Sequence, residues 1–164
     1  MKNSARTAKV TVSADGRGLV SQAGAVLLWE ALRVTGLGGG LSAALGRWRS
    51  PRAVHDPGKI IADLAVAVAL GGDCLADIAV LRAQPEVAGP VASDPVVSRL
   101  VSTLAENAPR ALKEIRAARA AARERAWALA GDAAPGADGG LVMVDLDATL
   151  VTAFAVRLGN NDGA

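Results

Sequence analysis

The sequence predicts a mainly α chain: a small N-terminal β-hairpin, a helical bundle, and after residue 140 the first strand of a second, incomplete α/β unit. Three observations carry this. Helix start and stop signals recur at short intervals: Asp56-Pro57 precedes an apolar run, Gly71-Gly72 follows it, and Pro95 and Pro109 open further runs. Aromatic residues make up only 2% of the chain, with no Tyr and one Phe, so a core of Ala, Val and Leu must come from closely packed helices. The period then changes, because LVMVDL from residue 141 is a continuous apolar run of the buried-strand type.

In chain order, Lys9 to Val12 reads as a short strand, residues 14–18 (ADGRG) as a tight turn, and Gly18-Leu19-Val20 as the returning strand. Ser21 is a suitable helix cap, since its hydroxyl can accept from free backbone amides, and the helix runs from about Gln22 to Thr35 before Gly36. Gly38-Gly39-Gly40 reads as a flexible connector, with a short helix from Leu41 to Trp48 behind it. Asp56 caps the next helix, with Pro57 at the first position, where a missing N–H costs nothing; Leu70 ends it. Asp73 is expected to cap another, through about Arg82. Residues 85–95 read as loop, Ser93 or Asp94 opens a helix over 96–105, and the longest helix spans about Arg110 to Ala130. DAAPGADGG, residues 132–140, is a linker by composition. The expected division is thus an arm over 1–20, a helical region over 21–131, the linker, and a separate unit over 141–164.

With 51% hydrophobic and 21% charged residues, the 164-residue chain has the balance of a folded protein and not of a disordered one. Net charge is only +2, so a cationic partner-binding role must come from how charges are distributed. The single cysteine, Cys74, excludes an intramolecular disulfide and a cysteine-based zinc site. No apolar signal core opens the chain, and the run Ile60 to Leu70, broken by Asp63, is too short for a bilayer, which takes about 20 residues. The expected location is cytoplasmic, without membrane contact.

Charge distribution singles out the longest helix. Projected at about 100° per residue, Lys113, Arg116, Arg119 and Arg123 fall within an arc of roughly 120°, with Arg110 at its start. Such a face can track phosphates; the competing reading is an ordinary solvated face. The turn RWRSPR carries Arg47, Arg49 and Arg52 around one aromatic and is a second candidate for DNA contact. His55 has no second His or Cys nearby to form a metal pair, and Cys74 reads as a small packed residue. The triple glycine lacks the following Gly-Lys-Ser/Thr of a phosphate loop. Asp145 and Asp147, at the end of an apolar strand run, would point the same way with Cα atoms about 6–7 Å apart. Two carboxylates so delivered suit Mg²⁺ or phosphoryl chemistry; otherwise one of them caps the next turn.

Taken alone, LVMVDLDATLV resembles the first motif of haloacid-dehalogenase-like phosphatases, which would make Asp145 a nucleophile and Asp147 a general acid/base, with Thr149 beside them. The longer strings point elsewhere. GLVSQAGAVLLWEALRVTGLGGGLSAAL (18–45) and HDPGKIIADLAVAVALGGDCLADIAVLRAQPEVAGPVASDPVVSRLV (55–101) closely resemble bacterial insertion-sequence transposases of the DDE group 1 family. The Arg/Ala-rich helix and the DLDATLV strand follow in the same order, so the resemblance covers about residues 8–153.

That resemblance implies a helical DNA-binding and scaffolding region leading into a ribonuclease-H-like catalytic domain. The first strand of such a domain presents the first acid of an Asp-Asp-Glu triad, which holds Mg²⁺ ions for strand cleavage and transfer. Asp147 is the first choice for that acid and Asp145 the second. The family pattern stops after Thr152, so the expectation is a truncated transposase, inactive alone. Its expected partners are insertion-sequence end DNA and, as an inhibitory fragment, full-length transposase or another copy of itself.

Overall fold

The computed structural model describes residues 24–142, and among them every regular element is helical. The expected hairpin over residues 9–20, the Ser21 cap and the strand beyond Val142 lie outside the described residues. Helix α1 (Ala25–Val34) closes at Thr35, whose hydroxyl donates to the Ala31 carbonyl at 2.6 Å. Gly36 follows at φ 74°, a left-handed backbone that costs glycine nothing, and turns the chain into α2 (Leu37–Leu45).

Gly38, Gly39 and Gly40 therefore lie inside a helix and form no flexible connector. Tertiary burial explains the difference. Leu41 and Leu45, one turn apart, are both in the interior. Burying them gains about 1.5–3 kcal/mol each, which offsets roughly 1 kcal/mol per helical glycine. A 3-10 turn, Gly46–Trp48, ends this segment.

Asp56 caps α3 (Pro57–Ala69) as its sequence predicts, accepting from the Lys59 amide at 2.9 Å. The same carboxylate accepts from the Ser42 hydroxyl at 2.7 Å, so the cap also pins α2. The two helices meet backbone to backbone: a Cβ on Gly58 would fall 2.2 Å from the Ser42 nitrogen. Gly71 at φ 97° follows the end of α3.

The stretch expected as one helix capped by Asp73 divides instead into a 3-10 turn, Leu75–Ile78, and a short α4 (Ala79–Arg82). Its cap comes from downstream, where the Asp77 carboxylate accepts from the Asp73 and Cys74 amides, each at 2.9 Å. The expected loop after Pro85 contains one helical turn, α5 (Pro85–Ala88), because Ala88 is drawn into the core. Then come α6 (Asp94–Ala105) and α7 (Ala108–Ala130), close to their expected positions. Arg82 joins α4 to α6, donating to the Ala92 carbonyl at 2.9 Å and pairing with Asp94 at 2.8 Å.

One continuous core includes Leu45, Ile60, Val66, Ile78, Leu81, Val97, Leu100 and Leu104. Leu141 and Val142, expected to open a buried strand, are exposed and belong to no strand among the described residues. No described helix is long and apolar enough to cross a membrane.

Candidate nucleic-acid interface

Helix α7 is built from strong helix formers, Ala, Arg, Leu, Lys and Glu, after a proline in its first turn. Its inner side is narrow and made of small residues. Ala111 and Ala122 are buried, and Ala118 lies against α2, where a Cβ on Gly40 would stand 3.6 Å from its own. Small residues on both partners let the helix axes approach and leave most of the α7 circumference outside.

On that outer side Lys113, Arg116, Arg119 and Arg123 are all exposed. The described salt bridges join Arg33 to Glu30, Arg49 to Asp56, Lys59 to Asp63 and Arg82 to Asp94, and none uses a cation of α7. Glu114 and Glu124, though interleaved with these cations, neutralise none of them. Arg110 is also exposed and has no acidic partner among the described residues, but it projects about 60° beyond Lys113 and stands at the margin of the strip. Arg123 has its guanidinium 5.6 Å from the centre of the Trp127 ring, a cation–π contact that steadies the side chain without discharging it. Arg119 and Arg123 also edge a groove of about 420 Å³ whose apolar walls include Leu28, Leu32 and Val66.

The basic turn is resolved into distinct roles. Arg47 lies over Trp48, 5.5 Å from the ring centre. Arg49 reaches the Asp56 carboxylate at 4.0 Å and is partly neutralised there. Arg49 and Arg52 line a second groove, of about 640 Å³, between this turn and α6. Arg99 of α6 lines it from the other side, with His55 and Trp48. Arg99 was not singled out by sequence, since it is an isolated cation in the apolar run PVVSRLV and only the packing of α6 brings it to the turn.

Comparison with known families is decisive at this point: the model of the transposase DDE domain, group 1, matches residues 2–161. The chain belongs to this family. No curated protein and no solved structure matches it. As a DDE group 1 transposase chain it has Asp145 and Asp147 within the matched span, so the segment goes to this family and not to the haloacid-dehalogenase-like phosphatases. Both aspartates lie outside the described residues.

Transposases of the DDE family generally use a divalent metal ion. Among the described residues, one group of side chains brings possible ligand atoms within 4.8 Å of one another, namely Asp73, Cys74 and Asp77. It does not fit Mg²⁺. A thiol is a poor partner for a hard cation, and the Asp77 carboxylate already serves the two amides that hold it below the usual carboxylate range, Cys74 first and Asp73 second. Cys74 itself is exposed, contrary to the packed residue expected, because it sits at the cap of the 3-10 turn and not within a helix.

The buried carboxylate of α3 belongs to the fold. Asp63 is 1% exposed and both its oxygens accept from Lys59 Nζ at 2.8 Å. The same ammonium donates to the Ala88 carbonyl at 3.0 Å and lies 5.3 Å from the Trp29 ring centre. Burial pushes the Asp63 carboxyl up to about 6, outweighing the Lys59 hydrogen bonds and charge that pull it down. Lys59 is thus committed to interior contacts and is not available to a phosphate.

Proposed function

We propose that the helical region, residues 24–131, is the DNA-binding part of a DDE-type transposase chain, with α7 lying along the phosphate backbone of the insertion-sequence end. One observation carries this: four exposed cations share one side of a long helix, and none has an acidic partner among the described residues. A solvated face built only for solubility gains from mixed signs and i,i+4 pairing, whereas this strip keeps its charge for an external anion. The family match supports the reading, because transposition requires the protein to hold DNA.

Within the same reading, Asp147 is the first acid of the family's triad and Asp145 its neighbour. These two would hold the divalent ion, Mg²⁺, which when bound supplies activation of the attacking hydroxyl and stabilisation of the leaving oxygen. The role of the described region is to position the DNA for that chemistry.

A second reading is favoured by the apolar groove edged by Arg119 and Arg123. Its lining is mainly apolar, with Leu28, Leu32, Leu37 and Val66 among its residues. Contact with another copy of the chain, or with a longer transposase, would cover such a surface. Sedimentation equilibrium of the chain alone and mixed with a longer family member tests this; strictly monomeric behaviour in both would count against it.

The primary test is fluorescence anisotropy with labelled duplex DNA carrying an insertion-sequence end. The expected result is binding that weakens steeply with added salt and is reduced by Lys113→Ala together with Arg116→Ala. Absence of any salt-sensitive binding would overturn the assignment.

A further inference from the structure

We infer that the groove between the basic turn and α6 receives an unpaired nucleotide of single-stranded DNA. This rests on the DNA-binding reading but names a different contact from the duplex strip on α7.

The shape of the groove selects the occupant. At about 640 Å³ it is in the range of small-ligand sites, wide enough for a nucleotide or two and far too small for a duplex about 20 Å across. Its chemistry is divided in the way a nucleotide is. Pro57, Ile60, Val96 and Leu100 supply an apolar lining that suits the flat face of a base. Arg49, Arg52 and Arg99 supply positive charge, and His55 adds a hydrogen-bonding ring. No carboxylate among the described residues lines the groove. Among the described residues Asp56 pairs with Arg49 alone of these cations, and it already accepts from Ser42 and the Lys59 amide. Arg52 and Arg99 therefore keep their full charge for a phosphate. Trp48 completes the wall as an aromatic surface, and single-stranded nucleic acids are held by this combination of aromatic or apolar contact with a cationic track.

The alternative occupants fit less well. For side-chain oxygens a metal ion finds only the hydroxyls of Ser50 and Thr103 and no carboxylate among the described lining residues, beside three arginines that repel it. An acidic peptide would satisfy the arginines but would leave the apolar lining of Pro57, Ile60, Val96 and Leu100 unused. A duplex phosphate run would contact the rim alone.

Three labelled probes on the full 164-residue chain test the inference: a flush-ended duplex, the same duplex with a short single-stranded thymidine overhang, and a short oligothymidine. The overhang is expected to bind about tenfold more tightly than the flush duplex, the gain typical of one held base. Arg99→Ala together with Arg52→Ala removes that gain, so that the variant binds the overhung and the flush duplex equally, and it leaves the fold intact, since both side chains are exposed and outside the core. Trp48→Phe, which keeps the ring against the core, retains most of it. Equal affinity for flush and overhung duplexes, or a preference unaffected by the arginine pair, would overturn the groove. Oligothymidine binding without duplex binding would uphold the groove and remove the α7 reading. Binding of none of the three probes would remove both.

Discussion

Helices α3 and α7 handle charge in opposite ways. Of the 13 residues of α3, seven are buried, and its single cation is held by both oxygens of Asp63 and by the Ala88 carbonyl. Of the 23 residues of α7, only Ala111 and Ala122 are buried, and none of its cations has an acidic partner among the described residues. Both carry Lys or Arg in an alanine-rich background, one cation in α3 and six in α7. What separates them is whether the charge is spent inside the fold. Charge on α3 positions the bundle, and charge on α7 is left for something outside it.

The largest expected effect strikes the α3 side. Gly58→Ala forces a methyl group into the Ser42 backbone, which neither helix can relieve without moving apart. Denaturant unfolding followed by circular dichroism should show a loss of about 3 kcal/mol, the upper range for overpacking. A variant as stable as the wild type would mean that α2 and α3 are not in backbone contact.

Asp63 gives the next largest effect, and its sign is particular. Its carboxyl is raised from an ordinary 3.8 to about 6, so the folded state holds the proton more readily than the unfolded chain. The stability this group contributes is complete below the ordinary value and is lost as pH rises through about 6. Between pH 7 and pH 4.5 the wild type should therefore gain stability relative to Asp63→Asn, by about 2 kcal/mol. A parallel pH profile for the two proteins would show that Lys59 fully offsets the burial.

The smallest effect tests the helix that sequence reading took for a connector. Gly39 is inside α2 with open space around any added Cβ. Gly39→Ala should raise stability by about 0.8 kcal/mol through helix propensity. In a flexible connector the same change would have no such consequence.

These cases also show which features could be read from the sequence. The start of α3 was legible because a cap is local: Asp56, Pro57 and the Lys59 amide settle it within four residues. The extent of α7 was legible for the same kind of reason, with helix formers running between Pro109 and Gly131. The glycines of α2 were misread because the burial of Leu41 and Leu45, which overrides their propensity, depends on helices far along the chain. The cationic strip was visible as periodicity, but whether Glu114 and Glu124 neutralised it was not. Arg99 was invisible for a stronger reason, since its neighbours in the groove are some 40 to 50 positions away in sequence.

The most direct test of the central claim, that α7 keeps its charge for DNA, is the salt dependence of duplex affinity in the wild type and in a chain with Lys113, Arg116, Arg119 and Arg123 all changed to Gln. Four phosphate contacts predict a log–log slope of about −3.6 for the wild type, and the variant should lose nearly all of the α7 share of it. Circular dichroism should remain helical in both, because the substituted side chains are exposed. A slope that is the same in the two proteins would contradict the account, and α7 would then be a solvated face of the bundle.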